Sequence, residues 1–324
     1  MKKRRNLIFG LVVFLVLIVG AAFTTKHFID KKVANNQRIV ATSAAITEIF
    51  AKLDINLVGV PKTQAALPAK YLKVARIGSP MKPSVEKIAS LNPTHVYAVS
   101  TLKDQYDDAF KDQSMDVIYL KLDSVAQLEG TLTSLGKKYY RQNQAATQVR
   151  LIQNAVNRAK KRIHGRKPTV LILMGLPGAN YMILTNKSYL GNLVQIAGGK
   201  NVYQSNSQIY LSPSNESLAT KNPDVILRLE HALPKVTLPQ FKEEFKKNPV
   251  WHKMKAVKDH RVYDLQQPDF NASANMNVQD ALHKLSYWLY PVNKEKHEKK
   301  NFMDIFSPCN FINWNLLFCD HSWC

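Results

Sequence analysis

From Arg38 onward, short apolar runs alternate with amphipathic stretches, and each run predicts one element. Arg38-Ile39-Val40-Ala41 is a short strand pattern. Thr42 and Ser43 then supply an N-cap to a helix from Ala44 to Leu53. Leu57 to Val60 predicts a strand closed by Pro61, Pro83 to Leu91 a helix, and His95 to Val99 and Asp116 to Leu120 two more strands. Strands alternating with helices predict an α/β unit with a mainly parallel sheet. A second set follows. Thr169 to Met174 is a continuous apolar strand, Leu190 to Ala197 a helix ended by Gly198-Gly199, and Val225 to Leu229 a strand. Phe241 to Lys247 and Trp251 to Val257 predict short helices, Arg261 to Leu265 a last strand, and Asp280 to Leu289 a closing helix.

Between the two sets, apolar residues from Leu128 to Ile163 recur at spacings near three and four, with no Gly or Pro from Lys137 to His164. That pattern predicts one long amphipathic helix of roughly ten turns, ended by Gly165 and Pro168. An internal repeat settles the architecture. PSVEKIASLNP at 83–93 and PSNESLATKNP at 213–223 share Pro, Ser, Glu, an aliphatic, Ala, a hydroxyl residue, Asn and Pro at a constant offset of 130. Each copy precedes an apolar strand. The expected fold is therefore α/β, two similar lobes joined by a single long helix, with a ligand cleft between them. Residues 38–127 form the first lobe, 128–165 the linking helix and 167–291 the second lobe.

The two ends break this pattern. Lys2-Lys3-Arg4-Arg5 precedes seventeen uncharged, mostly apolar residues, Leu7 to Phe23. Residues 1–30 therefore read as an export signal or a single membrane anchor, with the basic cluster held in the cytoplasm and the body outside. Residues 292–324 read as an atypical tail. They hold all three cysteines, Cys309, Cys319 and Cys324, so the body has no disulfide framework and no Cys-ligated metal.

Length and charge narrow the reading further. A chain of 324 residues suits about two domains, and 45% hydrophobic residues exclude a disordered chain. Forty-five basic against 24 acidic residues give a net charge of +21. The first thirty residues contribute only +4 and the tail none, so +17 lies on the body. A basic body suits nucleic acid, an anionic cell surface or an acidic ligand, and the exported address sets nucleic acid aside.

Common catalytic motifs are absent: no P-loop, no G-x-S-x-G, no H-E-x-x-H, no G-x-G-x-x-G. The nine histidines are scattered, and His95, His252, His260 and His283 read as structural or surface residues. Two segments remain, Arg76-Ile-Gly-Ser-Pro-Met81-Lys-Pro and Leu227-Arg-Leu-Glu-His231-Ala-Leu-Pro. Taken alone, a methionine more often fills a core and a lone histidine is more often structural than a ligand. One precedes the first repeat copy and the other follows the strand of the second, so the pair supplies one residue per lobe.

With these segments in place, the chain resembles the haem-binding substrate-binding proteins of Gram-positive ABC importers, of the iron-regulated surface determinant type. The likeness runs from Arg38 to Pro291 through RIVATSAAITEIFAKLDINLVGVP, GSPMKPS, PTVLILMGLPG, NPDVILR and VKDHRVYDL. It implies two lobes on a long helix, haem as the transported ligand, and Met81 and His231 as its axial ligands. It further implies an ABC permease as partner, with cell-surface haem donors beside it, and no catalysis. The protein is expected as a monomer on the extracellular face of the membrane, tethered by the N-terminal segment or released by its cleavage. A siderophore or corrinoid receptor of the same fold is the alternative; siderophore clefts of this architecture rely on Arg and Tyr rather than a Met–His pair. An enzyme using the cleft lacks a visible acid–base pair.

Three further expectations follow. Ser43, Ala44 and Ala45 open a helix whose first N–H groups lack intrahelical acceptors, so they suit a haem propionate. Tyr181, with Met182, is a candidate for the porphyrin face; Met174 and Pro177-Gly178 are candidates for the cleft wall, and Asn275 and Met276 weaker ones. Glu86 and Glu216 hold the same place in the two repeat copies. In the resembled class one Glu per lobe meets basic residues of a two-fold symmetric permease.

Overall fold

The computed structural model describes residues 37–291 apart from Ser114, Pro177, Ala179 and residues 231–233. The N-terminal apolar segment and the cysteine-bearing tail lie outside the described residues. No helix among the described residues is long and apolar enough to cross a membrane.

The first lobe is built around β1 (Ile39–Ala41), whose three residues are fully buried. A strand covered on both faces reads as a continuous apolar run, as parallel sheets require. Helix α1 (Ala44–Lys52) follows, then β2 (Gly59–Val60), β3 (Ala75–Arg76) and a small hairpin of β4 (Gly78–Ser79) and β5 (Lys82–Pro83). Helix α2 (Val85–Ser90), β6 (His95–Val99), α3 (Lys103–Lys111) and β7 (Val117–Leu120) complete the lobe. Its sheet runs β3-β2-β1-β6-β7, all parallel.

The linking segment departs from expectation. It is two helices, α4 (Val125–Lys138) and α5 (Gln142–Lys161), packed against each other. The chain reverses at Tyr139–Arg141. Tyr140 takes a left-handed φ of +55°, the Arg141 N–H donates to the Gly136 carbonyl at 2.7 Å and the Tyr140 N–H to the Lys137 carbonyl at 3.5 Å. This is the paired bonding of a Schellman C-cap, with Tyr where Gly is usual. A Cβ on Gly136 would lie 2.5 Å from the Ala145 Cβ, so glycine there lets the two helices approach. Both helices bury a stripe at the same spacing, and the apolar pattern therefore runs across the break. The long connection between lobes is α5 alone, narrower than 128–165.

The second lobe holds β8 (Thr169–Leu176), β9 (Asn180–Leu184), α6 (Tyr189–Ile196), β10 (Lys200–Asn201), β11 (Tyr210–Leu211) and α7 (Asn215–Ala219). Then come β12 (Val225–Glu230), α8 (Pro234–Lys247), α9 (Pro249–Lys253), α10 (Lys255–Lys258), β13 (Val262–Leu265) and α11 (Val278–Leu289). Its sheet runs β11-β9-β8-β12-β13, with β8, β12 and β13 parallel, β9 antiparallel to both β8 and β11, and β10 paired to β8. The largest apolar cluster joins both lobes, from Phe50 and Leu132 through Ile152 of α5 to Leu193 and Leu285. Polar links add to it. The Val125 N–H donates to Asn192 Oδ1 at 2.9 Å, and the Ala274 N–H donates to the Leu122 carbonyl at 2.7 Å. The lobes are thus held by more than their connecting helix.

Candidate functional site

In open parallel sheets, ligands bind beyond the carboxyl ends of the strands. In the first lobe β1 ends at Thr42-Ser43. The Ser43 hydroxyl accepts from the Ile46 N–H at 3.3 Å and so caps α1. The Ala44 and Ala45 N–H groups, in the same first turn, have no intrahelical acceptor and sit at the positive end of the helix dipole. Ser43 and Ala45 are nearly buried and Ala44 half-buried.

Beyond β3 the hairpin β4–β5 turns through Pro80 and Met81. Gly78 starts it at φ +100°, and a Cβ there would lie 2.9 Å from the Ser84 nitrogen. Two side chains of α3 grip the turn: Gln105 Nε2 donates to the Met81 carbonyl at 2.7 Å, and the Tyr106 hydroxyl to the Pro80 carbonyl. The Lys82 N–H closes it on Ser79 Oγ at 3.1 Å. The backbone of Met81 is therefore fixed, yet the residue is 48% exposed. A core methionine would be covered; this one is presented. The Tyr106 hydroxyl also lies beside the Thr42 hydroxyl. The Met81 turn and the start of α1 are therefore neighbours at this tyrosine, which brings together two of the predicted site segments.

In the second lobe β12 carries Arg228 and Glu230 on one face. Arg228, 8% exposed, forms a two-pronged pair with Asp264 of β13 at 2.7 and 3.0 Å and lies over the Phe245 ring at 4.7 Å. Glu230 accepts from Gln266 at 3.2 Å, and burial pushes its carboxyl above the usual range. These paired groups fix the end of the strand that leads to His231. His231 itself lies outside the described residues, as does Pro177. Of the remaining expectations, Tyr181 stands opposite Gly175 on β9, with its ring half-buried against Phe241 and Trp251. Met174 is buried in the core. Asn275 and Met276 are buried between the lobes, where the Met276 N–H donates to Glu48 Oε2 at 3.3 Å. Burial pushes the Glu48 carboxyl up to about 7, with that bond and Lys52 opposing. Glu86 and Glu216 are both exposed, each in the first turn of its helix.

Gln105, Tyr106, Arg228 and Glu48 escaped the sequence reading. Arg228 carried a signal, since a charged residue interrupts the apolar run Val225–Leu229. Helix α3 carried little: its stretch Lys103–Lys111 is dominated by polar residues, with Tyr106 and Phe110 alone buried.

Two α/β lobes on a connecting helix, with exposed or fixed residues beyond the strand ends, define a substrate-binding protein. Residues 39–268 match the Periplasmic binding protein family, and the chain belongs to that family. Over 254 residues it is 40% identical to the high-affinity heme uptake system protein IsdE of Staphylococcus aureus (strain Newman), spanning 76% of this chain and 85% of that protein. The crystal structure of S. aureus IsdE complexed with heme is similar at a TM-score of 0.74, over 79% of this chain and 99% of that one. An ABC transporter substrate-binding protein from Listeria monocytogenes EGD-e is similar at a TM-score of 0.73 and 38% identity, over 79% and 99% of the two chains. The expected fold class and family are borne out.

Proposed function

We propose that the protein is a haem receptor of an ABC importer, which captures haem outside the cell and hands it to a permease for iron acquisition. The observation that carries this reading is the Met81 turn: a thioether held out on a backbone gripped by Gln105 and Tyr106. Its likeness to a haem-complexed relative across nearly all of that chain supports it. Haem is cargo here, and the protein binds and releases without chemistry. Met81 from the first lobe and His231 from the second are the axial ligands, a soft thioether and an imidazole. The free N–H groups of Ala44 and Ala45 hold a propionate, with Ser43 as their cap, and Tyr181 lies against the porphyrin. The apolar segment at 7–23 tethers the monomer at the extracellular face of the membrane, or releases it if cleaved.

Titrating haemin into the parent, Met81→Ala, His231→Ala and the double variant tests this assignment. Each single change lowers affinity on the order of tenfold or more, about 1.4 kcal/mol per tenfold, and changes the spin state. His231→Ala costs more, because imidazole is the stronger iron ligand. Parent-like spectra from both single variants would overturn the axial pair, and a chain that never develops a Soret band would overturn the haem reading.

Docking rests on Glu86 and Glu216. They project from equivalent helices of the two lobes and suit basic residues on a two-fold symmetric permease. Glu86→Lys with Glu216→Lys is expected to leave the haem spectrum unchanged and stop uptake by cells; uptake at the parent rate would reduce both residues to helix-end charges.

A further inference from the structure

The first lobe's sheet ends on β7, which pairs with β6 on one side and with no strand among the described residues on the other. Its residues, Val117, Ile118, Tyr119 and Leu120, are aliphatic or aromatic and all half-buried. A bare apolar edge offers unpaired N–H and C=O groups to any extended chain, and native sheets commonly blunt it with charge, proline, a bulge or a covering element. On the outer strand β13 of the second lobe, Tyr263 stacks on Trp288 at 4.7 Å between centroids.

Along β7 there is a groove of about 410 Å³, bounded by Ile118 to Leu120 of the strand, by Lys121 just beyond it, and by one face of α4 from Gln127 to Lys138. Gly130 stands on that helix face. Glycine weakens a helix interior relative to alanine, and a Cβ at 130 would meet no atom within 4 Å, so packing does not require it. Its effect is to leave the groove wide at mid-length. The lining residues include two lysines, Lys121 and Lys138, and no carboxylate. Lys138 is held in place: its ammonium donates to the Tyr97 hydroxyl at 2.9 Å and lies 5.4 and 5.5 Å from the Tyr97 and Tyr139 ring centroids.

A groove between an edge strand and a neighbouring helix is the setting in which an extended peptide adds as one more strand. Its backbone pairs with the edge, and alternate side chains enter the groove. We propose that this groove binds an extended acidic segment of a partner protein, added as a strand to the edge of β7. Four residues of β7 span about 13 Å at the usual strand rise, so the segment is four to five residues long. It is apolar at alternate positions, with Asp or Glu toward Lys121 and Lys138. The inference is independent of what the cleft holds.

A phage-displayed random heptapeptide library, panned on the full chain, tests it. Enriched sequences are expected to alternate apolar residues and to carry Asp or Glu at one end or both. Their synthetic versions bind the parent and Gly130→Ala alike, and bind Gly130→Phe and Lys121→Glu at least tenfold more weakly. Lys121 is exposed, so its charge reversal still reports if the bulky variant fails to fold. No enrichment over an unrelated protein, or peptides that bind all four chains equally, overturns the proposal. A concentration-dependent dimer of the parent that Gly130→Phe abolishes also overturns it, since the occupant is then a second copy.

Discussion

The two lobes share a plan and differ in one charged joint. In the first, Thr94 stands just before β6, and its hydroxyl accepts from the Arg38 N–H at 3.0 Å; the Arg38 guanidinium turns away to the carbonyls of Leu91 and Asn92. In the second, Asp224 stands at the equivalent place before β12. Its carboxylate accepts from the Thr169 N–H at 2.8 Å, the Thr169 hydroxyl at 2.9 Å and the Arg166 guanidinium at 2.7 and 2.9 Å. Both joints pin the start of a central parallel pair, β1 with β6 or β8 with β12. The neutral joint serves three paired positions, the charged one six. The longer pair leads to His231, and it has the stronger anchor.

Breaking the joints gives the largest expected effect and tests that contrast. Asp224→Ala leaves the Thr169 N–H without its acceptor and the Arg166 guanidinium without its partner, and is expected to cost about 3 kcal/mol, against about 1 kcal/mol for Thr94→Val. Denaturant unfolding of the two variants measures both; equal losses would erase the distinction between the lobes. The difference also has a pH signature. The Arg166 guanidinium is the main cause that holds the Asp224 carboxyl well below the ordinary 3.8. A carboxyl lowered in the fold stabilises fully above its unfolded pKa and loses that contribution as pH falls below it. Acid therefore weakens the Asp224 joint, and the neutral Thr94 joint has no such carboxyl to lose.

Glu48 works in the opposite sense, at the seam between the lobes. With a folded pKa raised to about 7 from 4.5, it favours the folded state's proton. Ionising it costs stability progressively as pH rises from about 4.5 to about 7, and the cost is constant above that. Glu48→Gln keeps an oxygen for the Met276 N–H and removes the charge. It is expected to stabilise the protein by about 2 kcal/mol at pH 8 and by little at pH 4.5. Urea unfolding at the two pH values checks the sign, and equal gains at both would place the carboxyl in ordinary solvent.

Much of this plan was legible because it was written twice. The offset of 130 between the two PS–NP segments marks helices and strands that do occupy matching places, α2 before β6 and α7 before β12. The break at Tyr139–Arg141 was not legible. Its usual sign is a glycine in the left-handed position, and here Tyr140 holds it, while the buried stripe continues unbroken on both sides. The Met81 turn was legible as a motif but not as a presented side chain. Its exposure depends on Gln105 and Tyr106, more than twenty residues away along the chain, and no local pattern links them.

The smallest expected effect is also the most symmetric. Ser84 Oγ accepts from the Lys87 N–H and Ser214 Oγ from the Ser217 N–H, each at 3.3 Å. Both serines cap short helices that carry an exposed glutamate in the first turn. A serine cap replaced by alanine costs typically about 1 kcal/mol, so Ser84→Ala and Ser214→Ala are expected to lose that amount each, and equally. The helices differ in what lies beneath them, Ile88 in one and Leu218 in the other, both fully buried, and neither substitution disturbs that packing. Thermal unfolding of the two variants compares them directly. A loss at one serine several times that at the other would show that the repeat preserves the sequence of the cap without preserving its energetic role, and would confine the likeness of the lobes to their topology.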